Sequence, residues 1–186
     1  MSRELVALSA ALSMAACSQQ GAKDQPAANG NGAARINHPP DVTGWPIFDR
    51  TASRVGTVIT RFQKGGVLVS LDTAGLPPGI HGVHIHQTPK CDAPSFESAG
   101  GHWNWTNKKH GHRNPAGYHA GDLGNLTVDA NGRGQATFTV AAKDWDRKLS
   151  GGLPVIIHAQ ADDERTDPSG NSGARIACGI MYLRKD

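Results

Sequence analysis

The sequence predicts an all-β fold in which eight short antiparallel strands form a sandwich or a barrel. The chain of 186 residues contains 23 Gly and 11 Pro, a composition that favours short strands and turns over long helices. Segments of β-branched or alternating residues recur at short intervals, and no segment has a convincing helical period. This length fits one domain with a substantial core, together with a tail.

The strands are predicted from segments that turn residues separate. The first three, GTVITRF, GVLVSLDT and GIHGVHIHQ, occupy residues 56–62, 66–73 and 79–87. The next four occupy residues 125–142, 153–160 and 175–183, where the first range is a hairpin around Asn131-Gly132. GWPIFD, residues 44–49, adds an eighth strand, and Pro46 predicts an edge position because proline cannot donate a ladder hydrogen bond.

The first 17 residues are predicted to be a signal peptide. Arg3 precedes an apolar run, residues 5–16, that is about half as long as a bilayer-spanning helix. The run ends in SMAAC, which resembles the lipobox of bacterial lipoproteins, where the cysteine becomes the acylated first residue. We therefore expect export to the bacterial periplasm and a membrane tether through a lipid on Cys17. An ordinary cleavage site and an uncleaved apolar tail are the alternatives.

Residues 18–40 are predicted to be a flexible linker. They are polar, rich in Gly, Pro and Ala, and without a period, so they cannot bury enough apolar surface to fold. A linker of this size has a root-mean-square span of about 25 Å, which would hold a domain just off a membrane surface. The folded domain is therefore expected at residues 41–186.

The chain has three cysteines, and an odd number requires an explanation. If Cys17 carries a lipid, Cys91 and Cys178 remain, and export to an oxidising compartment allows them to form a disulfide. The alternative is a pair of buried thiols.

The charge of the chain indicates no nucleic-acid partner. Its 19 Lys and Arg residues against 16 Asp and Glu residues give a net charge of +3, and the basic residues are scattered rather than gathered in one stripe.

Histidines are concentrated in GIHGVHIHQ and in the segment that follows. In a strand, His84 and His86 point to one face while His81 points to the other, so only the first pair can share a ligand. Residues 88–123 then run for 36 positions without a strand pattern, which in a compact domain indicates a functional loop. This loop contains Cys91 and a set of metal-ligand residue types, namely His102, His110, His112, His119 and Asp122.

Five motifs, in chain order, resemble those of the Cu/Zn superoxide dismutase family: GVHIH, AGGHWNWTNKKHG, HAGDLGNLTV, VIIHAQADD and NSGARIACG. The resemblance extends over residues 54–183. It implies an eight-stranded Greek-key barrel with two long functional loops, residues 88–123 and 160–174, and one copper and one zinc ion per chain. It also implies disproportionation of superoxide to dioxygen and hydrogen peroxide.

The resemblance assigns copper to His84, His86, His102 and His158. It assigns zinc to His102, His110, His119 and Asp122, so that His102 is shared. Four imidazoles suit a copper that alternates between Cu(II) and Cu(I), and three imidazoles with a carboxylate complete a tetrahedral zinc site.

The remaining roles are also implied by the resemblance. Asp162 is expected to link His84 and His110 through their outer ring nitrogens. Arg175 is expected to attract and orient superoxide and to be held by the backbone carbonyl of Cys91. With His102, which returns a proton during the second half of the reaction, it forms the predicted catalytic pair.

Other histidines and acids receive structural interpretations. His81 is predicted to be buried and hydrogen-bonded, and His112 to be a loop residue. Asp163 and Glu164 are interpreted as solvated charges.

Two positions depart from the family pattern. Trp105 replaces a common proline, and neutral Gln160 stands where many relatives have lysine, which leaves attraction of the substrate to other cations such as Lys108 and Lys109. A non-enzymatic copper- and zinc-binding or copper-delivery protein on the same barrel is the alternative function. Monomer and homodimer both remain open.

Overall fold

A computed structural model of the chain describes residues 44–141 and 152–182. The predicted signal peptide with Cys17, the linker at 18–40, and the far ends of the predicted strands at 142 and 183 lie outside the described residues. Within the described part, no helix is long and apolar enough to span a membrane.

The described residues form eight strands and one short 3-10 turn. The strands are β1 (Gly44–Asp49), β2 (Arg54–Gln63), β3 (Gly66–Ala74), β4 (Gly79–Ile85), β5 (Asp122–Val128), β6 (Arg133–Ala141), β7 (Leu153–His158) and β8 (Arg175–Met181). The 3-10 turn covers Glu97–Ala99. Each strand predicted from the sequence is present.

The strands close into a barrel with the order β1-β2-β3-β6-β5-β4-β7-β8, and their pairings are antiparallel. Because β3 neighbours β6 and β4 neighbours β7, the β3–β4 and β6–β7 connections cross over rather than form hairpins, as in a Greek key. The fold class that the sequence predicts is confirmed.

The edge position predicted for β1 is wrong, because a closed barrel leaves no edge strand. Strand β1 pairs with β2 along its length and with β8 through Phe48 and Asp49. Pro46 pairs with Thr57 of β2 and precedes the residues that pair with β8. Its missing N–H therefore costs no β1–β8 ladder bond.

The predicted turn at Asn131-Gly132 joins β5 to β6. The Asp129 carboxylate accepts hydrogen bonds from the backbone N–H groups of Asn131 and Arg133, at 2.8 and 2.9 Å. Gly132 has φ 75°, which a residue without a side chain adopts at no steric cost. These local contacts fix the turn.

The barrel interior is filled by alternating apolar side chains, and a second cluster attaches the first long loop to it. In this second cluster, Phe96 and Ala99 of the loop pack with Ile156 of β7 and Cys178 of β8. The disulfide between Cys91 and Cys178, predicted as one of two alternatives, is present and closes a separation of 87 residues. In the chain-entropy model such a loop closure stabilises the fold by about 4–5 kcal/mol.

The two long connections of the described chain, residues 86–121 and 159–174, contact each other. The backbone N–H of Arg113 donates to the carbonyl of Glu164 at 2.9 Å. Side chains also join the two loops, and these contacts belong to the site described next.

Candidate metal centre

Strand ends bring the first group of histidines together. His84 lies near the end of β4, His158 ends β7, and the two strands are neighbours in the barrel. His86, directly after β4, forms an isolated antiparallel bridge with His102 of the first long loop. The sequence alternation predicts that His84 and His86 share a face, and the structure confirms it.

These four histidines form what we call the first donor set: His84, His86, His102 and His158. One ring nitrogen from each lies within 4.8 Å of those of the others. The Nδ1 of His84 and the Nε2 atoms of the other three are buried and have no hydrogen-bond partner. Because a buried polar nitrogen without a partner is costly, four such atoms facing one point indicate a site for a cation.

The nitrogens of this set are held in the neutral form that a metal ligand needs. Burial lowers the pKa of His84 to about 3, of His86 to about 2 and of His158 to about 4. Burial also lowers the pKa of His102. These side chains therefore present lone pairs rather than protons at neutral pH.

A second donor set lies on the other side of His102: the Nδ1 atoms of His102, His110 and His119, and Oδ1 of Asp122. Asp122 Oδ1 lies 3.0, 3.0 and 3.2 Å from these three nitrogens, respectively. The nitrogens of His102 and His119 are 3.3 Å apart. A tetrahedral zinc ion with ligands at 2.0–2.1 Å requires ligand atoms about 3.3 Å apart, so this set already has nearly that size.

The charge of Asp122 is fixed by its surroundings. Burial alone would raise the pKa of Asp122, but contacts with the three histidines of the second set and the backbone N–H of Gly111 hold it well below its ordinary value. Gly111 donates to Oδ2 at 2.8 Å, which leaves Oδ1 directed at the histidines. The second set therefore contains one permanent negative charge.

Asp162 links the two donor sets through the ring nitrogens of His84 and His110 that belong to neither set. Its Oδ2 accepts from His84 Nε2 at 2.8 Å, and its Oδ1 accepts from His110 Nε2 at 2.9 Å. The link predicted from the resemblance is present. Gly170, with φ 63°, is required beside it, because a Cβ at this position would overlap the Asp162 carboxylate.

His102 contributes a different ring nitrogen to each set. Its Nδ1 lies beside Asp122 and His119 in the second set, and its Nε2 is an unpaired atom of the first. The ring of His102 lies 4.0 Å from that of His84 and 5.3 Å from that of His119, measured between centroids. A single imidazole therefore connects the two sets.

His81 and His112 lie outside both sets. His81 is buried, and its ring nitrogens lie 2.8 Å from the carbonyl oxygens of His158 and Pro77, which confirms the predicted structural role. His112 is exposed, and its Nε2 lies 2.9 Å from the carbonyl of Asp122. This contact, which sequence reasoning did not predict, ties the loop to the start of β5.

Arg175 lies at the start of β8, and its side chain is 14% exposed. It donates to the carbonyl of Phe96 at 2.6 Å and to the carbonyl of Gly100 at 2.7 Å. The prediction that the carbonyl of Cys91 holds this side chain is therefore wrong. The 3-10 turn instead brings the carbonyls of Phe96 and Gly100 to the guanidinium. The Gly100 carbonyl also accepts from His86 Nδ1 at 2.9 Å, so one backbone oxygen holds both side chains.

The two lysines proposed to attract the substrate differ in their surroundings. Lys109 pairs with Asp167 at 2.9 Å, which offsets much of its charge. Lys108 is exposed and lines an open cleft of about 730 Å³ that reaches His102 and His119. Trp105 is 49% exposed.

Comparisons with known proteins agree with this arrangement. The family described as Copper/zinc superoxide dismutase (SODC) matches residues 55–181. The chain belongs to this family. It is 39% identical over 142 residues to superoxide dismutase [Cu-Zn] 1 of Aquifex aeolicus, which covers 73% of this chain and 84% of that relative.

Solved structures of the dismutase family have the same fold. A SOD-like protein from Bacillus subtilis is 38% identical, with a TM-score of 0.70 over 75% of this chain and 97% of that one. The Cu/Zn superoxide dismutase from Brucella abortus is 27% identical, with a TM-score of 0.62 over 76% of this chain and 100% of that one.

The donor sets of this dismutase-family chain fit the two metals of the family. The first set offers four neutral imidazole nitrogens without partners, which suits copper. The second offers three imidazole nitrogens, each 3.0–3.2 Å from one carboxylate oxygen, which suits zinc.

His84 lies within 4.8 Å of members of the second set as well. Its Nε2 is bonded to Asp162, so it has one free nitrogen to offer. That nitrogen lies beside the unpaired Nε2 atoms of the first set, and we place it there. The Nδ1 of His110 is also without a hydrogen-bond partner, but it lies 3.0 Å from Asp122 Oδ1 and belongs to the second set.

The metal-free dismutase is expected to be most stable near pH 6.5, the ordinary pKa of histidine. Below this pH the histidines of the unfolded chain become protonated, whereas His84, His86 and His158 stay neutral in the folded chain because their pKa values are lowered. Acid therefore lowers the free energy of unfolding. Burial opposes protonation of His110 too, but Asp122 and Asp162 raise its pKa to about 9. The stabilisation from protonated His110 is therefore complete below pH 6.5 and is lost as pH rises through about 9.

Thermal melting of the demetallated protein between pH 4 and pH 10 measures this profile. His110→Gln is expected to flatten the alkaline limb and to leave the acid limb in place. A melting temperature that rises steadily from pH 6.5 to pH 9 would contradict the assignment.

Proposed function

We propose that this chain disproportionates superoxide to dioxygen and hydrogen peroxide with one copper in the first donor set and one zinc in the second. Membership of the dismutase family supports the activity, and the chain is a superoxide dismutase. The proposed metal assignment rests on one observation: the His102 ring contributes Nε2 to the first set and Nδ1 to the second.

Copper, when bound, supplies the one-electron oxidation and reduction that the two half-reactions need, and zinc supplies fixed positive charge. The first donor set contributes imidazoles that stay neutral, and every side chain of both sets is buried. Asp162 fixes the ring orientation of His84 and His110 through their outer nitrogens.

His102 is the residue through which we route a proton. Its Nδ1 stays in the second set, while its Nε2, which has no other partner, can hold a proton and release it. Only reduction of superoxide to peroxide consumes protons, so this position matters in that half of the reaction.

Arg175 supplies the charge that attracts the substrate. Besides burial, its positive charge contributes to the lowered pKa values of His86 and His158, so the guanidinium is within electrostatic reach of the first set. Its two carbonyl contacts hold it in one orientation, which presents a fixed fork to a small anion.

Metal analysis combined with superoxide-dependent cytochrome c reduction tests the proposal. One copper and one zinc per chain together with inhibition of cytochrome reduction would support it. Stoichiometric metals without inhibition would instead support a copper- and zinc-binding or copper-delivery protein on the same barrel.

We also propose that the protein is exported and tethered in the periplasm through a lipid on Cys17. The support is the sequence: the basic start, the short apolar run and SMAAC, followed by a polar segment at 18–40. The disulfide between Cys91 and Cys178 agrees with an oxidising compartment.

Cys17→Ser is expected to move the protein from the membrane fraction to the soluble fraction of the periplasm. Specific activity should stay the same, because the described barrel begins at Gly44. Ser9→Ala, inside the apolar run, is the control and should stay in the membrane fraction. An intact mass without an acyl group on Cys17 would refute the anchor.

A further inference from the structure

We propose that Asp167 is a positioning residue for the zinc site, acting on His119 through the outer ring nitrogen of that histidine. This inference rests on the proposed metal assignment, because it treats the second donor set as the zinc site. It adds a second carboxylate, distinct from Asp162, that no motif of the sequence indicated.

The outer nitrogens of the three histidines in the second set have different surroundings. The outer nitrogen of His102 is its Nε2, which belongs to the first set. That of His110 is bonded to Asp162. That of His119 lies 3.9 Å from Oδ1 of Asp167, so each histidine meets a different group.

This placement favours one of the two neutral forms of His119. A carboxylate facing Nε2 favours the tautomer with hydrogen on Nε2 and the lone pair on Nδ1. Nδ1 is the atom that lies 3.2 Å from Asp122 Oδ1 within the second set. Without a metal, Asp122 favours a proton on Nδ1, so Asp167 is the acid that favours the form of His119 with a free Nδ1 lone pair.

Asp167 is itself firmly held at the junction of the two long loops. Its Oδ1 accepts from the backbone N–H of His110 at 2.7 Å, and its Oδ2 accepts from Lys109 Nζ at 2.9 Å. Oδ1, the oxygen that faces His119, is therefore held by the backbone of His110 and not by Lys109.

The contact matters because this side of the zinc site faces solvent. Asp167 and His119 both line the open cleft of about 730 Å³, and the Asp167 side chain is 35% exposed. Asp162, in contrast, is buried between the donor sets. At 3.9 Å the carboxylate attracts the Nε2–H dipole of His119 rather than accepting a full hydrogen bond, so removing the charge should weaken the interaction even where the shape is kept.

Zinc affinity of the metal-free full chain tests the proposal, measured by competition for Zn(II) with a chromogenic chelator. Asp167→Asn keeps an acceptor for the His110 N–H and removes the charge. It is expected to weaken zinc binding about tenfold, the lower end of the usual effect of such partners.

Two controls separate this role from loop stability. Lys109→Gln removes the cation that pairs with Asp167 Oδ2. Asp163→Asn removes the charge from another loop carboxylate, which accepts from Thr166 and Asn171. Both are expected to bind zinc within twofold of the unsubstituted chain. Equal weakening in either control, or unchanged affinity in Asp167→Asn, would overturn the proposal.

Cobalt(II) bound in place of zinc gives a second readout that loop stability alone would not move. Asp167→Asn should shift the visible ligand-field absorption of the cobalt form, whereas Lys109→Gln should not, and Asp167→Glu should restore part of the zinc affinity. An unshifted cobalt spectrum in Asp167→Asn would count against the proposal. If the unsubstituted chain binds no zinc, the metal assignment fails, which is a separate outcome.

Discussion

His102→Ala is expected to abolish dismutase activity and to bring the zinc content well below one per chain. The substitution removes the one side chain that contributes to both donor sets, Nε2 to the first and Nδ1 to the second. The first set would keep three nitrogens and the second two nitrogens and one carboxylate oxygen. We expect activity to fall by at least about two orders of magnitude, equivalent to about 3 kcal/mol in the barrier.

His81→Gln is the matched control for this experiment. His81 is also a buried histidine, but it belongs to neither set and contacts two backbone carbonyls. Its replacement is expected to lower the free energy of unfolding by about 1–3 kcal/mol and to leave metal content near one copper and one zinc. Elemental analysis that finds His81→Gln metal-free and His102→Ala fully loaded would reverse the assignment of faces.

Strand alternation predicts one part of the donor geometry from the sequence alone, because it separates His84 and His86 from His81. A period of two is a local property, so it can be read without knowing the fold. The long loop offers no such period, and its ligands were placed by the family resemblance. The structure brings them to the barrel through the bridge between His86 and His102.

Contacts between the two long loops could not be predicted from the sequence. Asp167 meets His110 and Lys109 across 57 and 58 positions, and the two carbonyls that hold Arg175 lie 75 and 79 positions away. Backbone carbonyls occur at every residue, so no side-chain pattern marks which of them will be used. The predicted contact between Arg175 and the Cys91 carbonyl is wrong for this reason.

Strand limits also depend on partners that are distant in sequence. The predicted strand at 79–87 ends at Ile85, because His86 pairs with the first long loop instead. Strand β5 begins at Asp122, three residues before its predicted start, since His84 pairs with Asp122 after a register shift. This shift places Asp122 of the second donor set opposite His84 of the first.

Arg175→Ala is expected to keep both metals and to lose about one to two orders of magnitude in activity, a cost of about 1.4–3 kcal/mol. Arg175 belongs to neither donor set, so the experiment separates substrate attraction from metal loading. The variant removes a fixed charge near the first set and leaves the carbonyls of Phe96 and Gly100 without this donor. The Gly100 carbonyl still accepts from His86, so that ligand should keep its orientation.

The salt dependence of the rate distinguishes charge attraction from a loss of packing. Activity of the unsubstituted chain should fall as ionic strength rises, because salt screens the attraction of superoxide to Arg175. Arg175→Ala should show a weaker dependence, and Arg61→Ala, which removes an exposed charge on β2, should behave like the unsubstituted chain. The activity of Arg175→Lys should lie between that of the unsubstituted chain and that of Arg175→Ala, because an ammonium keeps the charge and cannot form the planar fork.

Arg175→Glu should be the least active variant, because it replaces attraction of a small anion with repulsion. Glu97 already places one carboxylate 3.7 Å from the Arg175 guanidinium, but that carboxylate is 75% exposed and solvent screens it. A glutamate at position 175 would lie in a partly buried position beside the first donor set, where screening is weaker. Rates measured with both metals fully loaded test this order, and full activity in Arg175→Glu would show that the guanidinium has no part in substrate attraction.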